Sequence, residues 1–207
     1  MFIESLLGCS AIHEISNWIP MSRWSNVRHR GNLIASMIFQ VYFVWKASRL
    51  LYLEHQNGVT ESLQEQTLQQ LYAVGGYFVY DLCYLIQTTP FSGYVLHHLV
   101  GLGMLSILCS LGPPRSELVS SYNQLCLVTE ITNPIITLRH FTRGSAFERT
   151  QKWLMFFTYT VFRIILYPIL SYRLHLRIQQ PRLFNLFIGI YAMSLVWYRR
   201  ILQMLSK

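Results

Sequence analysis

The sequence predicts an all-α, polytopic membrane protein with about six transmembrane helices. Three observations predict it. Six apolar stretches recur along the chain, each close to the roughly 20 residues a helix needs to cross hydrocarbon. Only 13% of residues are charged against 52% hydrophobic, whereas a soluble domain carries about a quarter charged residues. The segments between the stretches are short, so consecutive helices become neighbours in one bundle.

Residues 1–27 include Glu4, His13 and Glu14 and lack a basic start followed by a clean apolar core. They therefore read as an N-terminal cytosolic or interfacial segment rather than a cleaved signal peptide, and the transmembrane domain occupies 28–207. Its spans are expected near 33–53, 68–88, 95–112, 117–139, 152–172 and 183–204. The first acts as the targeting signal. The third is the shortest, and Pro113-Pro114 stops it cleanly.

Loop charge gives an orientation. Arg23, Arg28 and Arg30 precede the first span, and Glu54, Glu61 and Glu65 come after it without a Lys or Arg. That asymmetry puts the N-terminus in the cytosol. Alternation then puts Arg143, Arg149 and Lys152 there, with Arg199, Arg200 and Lys207 at a cytosolic C-terminus. The loop carrying Arg173, Arg177 and Arg182 disagrees with the rule. The net charge of +8 reads as topology and lipid-headgroup contact, and nucleic acid is not an expected partner. Trp18, Trp24 and Trp197 read as interface anchors.

Chemistry is sought among ionisable residues inside the spans, because each is costly there. His97 and His98 open the third span. Asp81, the only aspartate, lies about two turns inside the second, and Glu130 two to three turns inside the fourth. With a cytosolic N-terminus all lie in the cytosolic half of the bundle, which suggests one shared site. Adjacent helical residues point roughly 100° apart, so His97 and His98 cannot both address one partner. A carboxylate beside a histidine fixes the ring tautomer and leaves its other nitrogen free to act, as a base or as a nucleophile toward a thioester.

In LVTEITNPIITLRHF, Pro134 frees the carbonyl of Glu130, so a kink is expected beside that carboxylate. Asn133 adds an amide, and Arg139 reaches the headgroups. Arg163, mid-way along the fifth span, is the expected counter-ion for Glu130 or Asp81. Tyr80, Tyr84 and Tyr122 are candidate cavity walls. Gly101 and Gly103 would let a helix or an acyl chain approach closely. Cys9, Cys83, Cys109 and Cys126 form no CxxC pair and read as small buried hydrophobes, so neither a metal centre nor a disulfide framework is expected.

The strings HHLVGLGMLSILC, EITNPIITLRHF and YFVYDLCYLIQ, in this order of spans, resemble the TLC (TRAM–Lag–CLN homology) domain over roughly residues 24–207. The smaller TLC domain-containing members look most similar, and ceramide synthases more distantly so. The resemblance implies a barrel-like bundle of six helices around a lipid-accessible cavity, in the endoplasmic reticulum membrane. It also implies that His97 and His98 stand where the ceramide synthase branch has catalytic histidines. That branch's two aspartates, three residues apart, would map onto Glu130 and Asn133, where the second carboxylate is replaced by an amide.

Two functions are therefore expected as alternatives within lipid homeostasis. One is an acyl-CoA-dependent lipid N- or O-acyltransferase using His97, His98, Asp81 and Glu130, with Asn133, Arg139, Arg163, Tyr84 and Gly101 binding substrate. The other is a non-catalytic protein that binds or senses lipids. A membrane chaperone or cargo receptor ranks third, since no long soluble loop is present to grip a client. Membrane lipids are the expected partners, acyl-CoA the co-substrate of the enzymatic reading, and self-association is open. No resident cofactor is expected.

Overall fold

The structure, a computed structural model, describes residues 1–18, 30–89, 93–112 and 114–206. All regular elements among them are helical: α1 (Phe2–Trp18), α2 (Arg30–Asn57), α3 (Glu61–Thr88), α4 (Gly93–Ser110), α5 (Ser116–Glu130), α6 (Asn133–Thr142), α7 (Glu148–Tyr159), a π-helical segment (Thr160–Leu166), α8 (Tyr167–Ile178) and α9 (Pro181–Leu205). Arg23, Arg28, Trp24, Pro113 and Lys207 lie outside the described residues, as do the side chains of Trp18 and Arg30.

Each helix turns one stripe of small and apolar side chains inward. On α2 the stripe is Ala35, Phe43, Ala47 and Leu50, all fully buried. On α4 it is His98, Gly101, Leu105 and Leu108, so the second histidine continues the core face. On α9, Leu183, Phe187, Ile190 and Ser194 do the same. The contacts between helices close a ring: α2 packs on α3, α3 on α4, α4 on α9, α9 on α7 and α8, α8 on α5, and α5 and α6 on α2.

Turn chemistry fixes the ends. Gly58 (φ 69°) and Gly112 (φ 74°) come after α2 and α4 in the left-handed region, which stops a helix at little steric cost. Thr60 caps α3 by accepting the Leu63 amide at 3.2 Å. Polar core groups then tie helices together: Gln40 donates to the Tyr77 hydroxyl at 3.2 Å and accepts from Thr137 at 3.0 Å, linking α2, α3 and α6.

Three features refine the sequence expectations. Residues 2–18 form a helix packed on α2 and α3, with Cys9 fully buried. The Ser5 hydroxyl donates to the Ala73 carbonyl at 2.8 Å, and a Cβ at Gly76 would collide with the Phe2 carbonyl. The expected kink at Pro134 is a break in the helix at residues 131–132, between the bond from the Ile131 amide to the Leu127 carbonyl and that from the Ile136 amide to the Thr132 carbonyl. The expected fifth span holds a π segment, where the Tyr167 amide reaches the Phe162 carbonyl five residues back. Pro168 next strips Ile164 of its helical donor, and the Tyr191 hydroxyl supplies one at 3.4 Å.

Two helices, Gly93–Ser110 and the continuous Glu148–Ile178, are long and apolar enough to cross a membrane. The outward stripe of the second is Phe157, Val161, Ile165, Ile169, Tyr172 and Leu176, all exposed. In water such a stripe would be an unusually large apolar patch.

Candidate functional site

The second and third expected spans meet at a buried ion pair. His98 Nε2 lies 2.8 Å from Asp81 Oδ2, and Asn32 of α2 donates to Asp81 Oδ1 at 3.0 Å. The other ring nitrogen is also taken, since Nδ1 lies 2.9 Å from the Tyr94 carbonyl one turn earlier on α4. A carboxylate on one side and a carbonyl on the other lock the ring. At His98 the carboxylate therefore does not leave a nitrogen free, because the ring is turned so that the Tyr94 carbonyl takes the other one.

His97 is placed differently. Its ring sits among Trp197, His98 and Phe78, at centroid distances of 5.0, 5.5 and 6.2 Å. Its Nδ1 is buried and has no hydrogen-bond partner. The 100° offset between neighbours thus separates the pair into a fixed imidazole and an available one.

Two cavities meet at His97 and Phe78. The wider, about 400 Å³, runs among α2, α3, α4, α6, α7 and α9, with Asn32, Gln40, Asp81, Asn133, Arg139 and Arg200 on its polar walls. The narrower, about 40 Å³, is mostly apolar and passes Gly101, Met104, Leu105, Leu108, Leu125 and Ile190. Gly101 is required there, because a Cβ would run into the Phe78 ring.

A second polar cluster lies beside this slot. The π segment turns Arg163 inward, where it is 3% exposed. Its Nε donates to Thr132 Oγ1 at 3.1 Å and its terminal nitrogen to Asn133 Oδ1 at 3.0 Å and to the Thr129 carbonyl. Asn133 Nδ2 in turn donates to Glu130 Oε2 at 3.0 Å. Among the described residues no direct ion pair joins Arg163 to Glu130 or Asp81, so the expected counter-ion acts through an amide bridge. Two of the three acceptors are side-chain oxygens, of Thr132 and Asn133, and the third is the backbone carbonyl of Thr129.

The structure thus gathers His98 with Asp81, and Glu130 with Asn133 and Arg163, while His97 faces both cavities. Arg139 lines the wider cavity and Gly101 the slot. Tyr122 also lines the slot, but Tyr80 and Tyr84 turn away from both: Tyr80 Oη is 2.7 Å from His13 Nδ1, and Tyr84 packs edge-on against that ring at 5.3 Å. Trp197 faces the inside of the bundle. It stacks on Tyr94 at 5.2 Å and lines the wider cavity. Its spacing of three from Arg200 and Ser194 was the available signal for that inner face. Phe78 carried no sequence signal, being one aromatic among many.

Among the described residues the chain is an all-helical bundle with outward apolar stripes, two helices able to span a membrane, and two internal cavities. The TLC domain family matches residues 24–204, and the chain belongs to that family of lipid-related membrane proteins. Neither a curated protein nor a solved structure matches the chain.

Proposed function

We propose that this chain crosses the bilayer six times as a barrel-like bundle and acts in lipid homeostasis, with its N- and C-termini in the cytosol of the endoplasmic reticulum membrane. Its ring of helices takes one amphipathic lipid, the acyl chain entering the slot past Phe78 and Gly101 and the polar end remaining in the chamber. The observation that carries this reading is the buried, unpartnered Nδ1 of His97 where chamber and slot meet. A buried polar atom without a partner is costly, and a ligand carbonyl, hydroxyl or amine brings the missing bond.

The chemistry open to such an imidazole is acyl transfer. Attack of His97 on a thioester carbonyl breaks the C–S bond, and the leaving thiolate departs as thiol with the imidazole proton. An amine or hydroxyl of a second lipid then displaces the imidazole, and its proton returns to the ring. His98 and Asp81 position α4 against α3 and do not act on substrate. The amide of Asn133 supports a second reading, a non-catalytic lipid binder, since it offers no second carboxylate to serve as base.

Mass spectrometry of lipids retained by mildly solubilised protein tests both. Wild type is expected to hold one acyl-bearing lipid, and His97→Ala to lose most of it. An acyl mass on the His97 peptide supports transfer, whereas an intact lipid without an adduct supports binding alone. No lipid above that held by an unrelated membrane protein overturns the proposal.

A further inference from the structure

The wall of the wider cavity carries basic groups that make no ion pair among the described residues. Arg139 and His140 reach its wall from α6, and Arg200 from α9. Among the described residues Asp81 is the only carboxylate lining the cavity, and it is already held by His98 and Asn32. Glu148, at the start of the adjoining α7, lies near enough to Arg139 to attract it, but its carboxylate is held by Lys152 at 3.1 Å and by the Gly144 amide at 2.7 Å. Among the described residues neither Arg139 nor Arg200 makes an ion pair.

Arg139 differs from the arginine deeper in the bundle. Arg163 finds three acceptors, whereas the Nε of Arg139 is shielded from solvent and has no hydrogen-bond partner. A guanidinium left short of acceptors, with a second one on another wall of the same cavity, suits an anion with several oxygens around one centre. A carboxylate offers two such oxygens. A phosphate offers more, and accepts from two guanidinium groups on separate helices.

We infer that Arg139 and Arg200, with His140 beside them, bind the phosphate of an acyl-bearing amphiphile whose chain enters the slot past His97. This rests on the lipid-binding function proposed for the His97 site and names its ligand class: a phosphoester joined to a fatty chain, from a membrane phospholipid or from a soluble acyl carrier. Neutral glycerides and free sterols lack the group these arginines address.

The test uses the full chain in nanodiscs of neutral lipid. Probes are phosphatidic acid and diacylglycerol of identical acyl chains, and palmitoyl-CoA and palmitate, with retention read by mass spectrometry. Wild type is expected to hold a phosphate-bearing probe at least tenfold more tightly than its phosphate-free counterpart. Arg139→Gln with Arg200→Gln should erase that preference and leave the phosphate-free probe unchanged. Arg199→Gln, at an exposed arginine outside the cavity wall, should keep it.

Preference for phosphatidic acid identifies the membrane source, and preference for palmitoyl-CoA alone the soluble one. Equal retention with and without phosphate, or an unchanged preference in the double variant, overturns the inference. If Gly101→Leu still abolishes retention of every probe in that event, the lipid site itself stands. Indifference of retention to Gly101→Leu overturns the lipid site as well. Circular dichroism of each variant confirms folding, and Arg139→Lys with Arg200→Lys, which keeps charge, should restore part of the preference if the fold holds.

Discussion

At the scale of single residues, His97 and His98 do unlike work although they are adjacent. His98 is bonded at both nitrogens, and its removal leaves Asp81 buried with only Asn32. His98→Ala is expected to cost about 3 kcal/mol of stability, as breaking a buried pair does, and Asp81→Asn in the same chain to recover part of it. His97→Ala removes no such bond and should cost about 1 kcal/mol through lost ring packing. Reversible unfolding in mixed micelles, beside lipid retention, checks the split: stability falls with His98, and retention with His97. Gly101→Leu belongs to the same scale. Its side chain meets Phe78, so retained lipid should fall at least tenfold with little change in the ion pair. The interior position of these groups was legible in the sequence, because an ionisable side chain in an apolar run stands out. Which nitrogen is free was not, since that depends on the Tyr94 carbonyl, and every residue has a carbonyl.

At the scale of elements, the departures from plain helix cluster where charge is buried. The break at 131–132 and the π segment at 160–166 face each other across the Arg163 network. A π segment holds a residue more than the α-helix it replaces, and the surplus sets the rotation of the helix on one side relative to the other. Inserting one residue beside Val161, an exposed position, therefore rotates α7 against Arg163 by about 100°. Met155 and Tyr159 or Arg163 must then leave the core. The insertion is expected to lower the yield of folded protein severely, and Val161→Ala hardly at all, read by monodisperse recovery in detergent. Arg163→Ala should cost about 3 kcal/mol through acceptors left unsatisfied. Pro134 announced the break in advance, because proline lacks an amide hydrogen. Nothing announced the π segment: its sequence, TVFRIIL, is as compatible with α-helix.

At the scale of the whole molecule, the six apolar stretches correspond to α2, α3, α4, α5 with α6, α7 through α8, and α9. Apolar runs of span length were the strongest signal in the chain. The first 18 residues were not readable in this way, because their fit rests on Gly75 and Gly76 of another helix. That seam predicts that removing residues 2–18 lowers the midpoint of thermal unfolding by several degrees, since Cys9 and Ser5 leave buried surface behind them. Differential scanning fluorimetry reads this directly. The proposed orientation is checked separately: a protease site appended after Lys207 should be cut from the cytosolic face of sealed microsomes.

The contact of Trp197 with His97 and Tyr94 has one more outcome. Indole emission responds to the polarity and to the quenching groups around it. With the other four tryptophans changed to phenylalanine, the remaining fluorophore would register whether the bundle is empty or filled. The chain thus carries its own optical gauge, needing no attached dye.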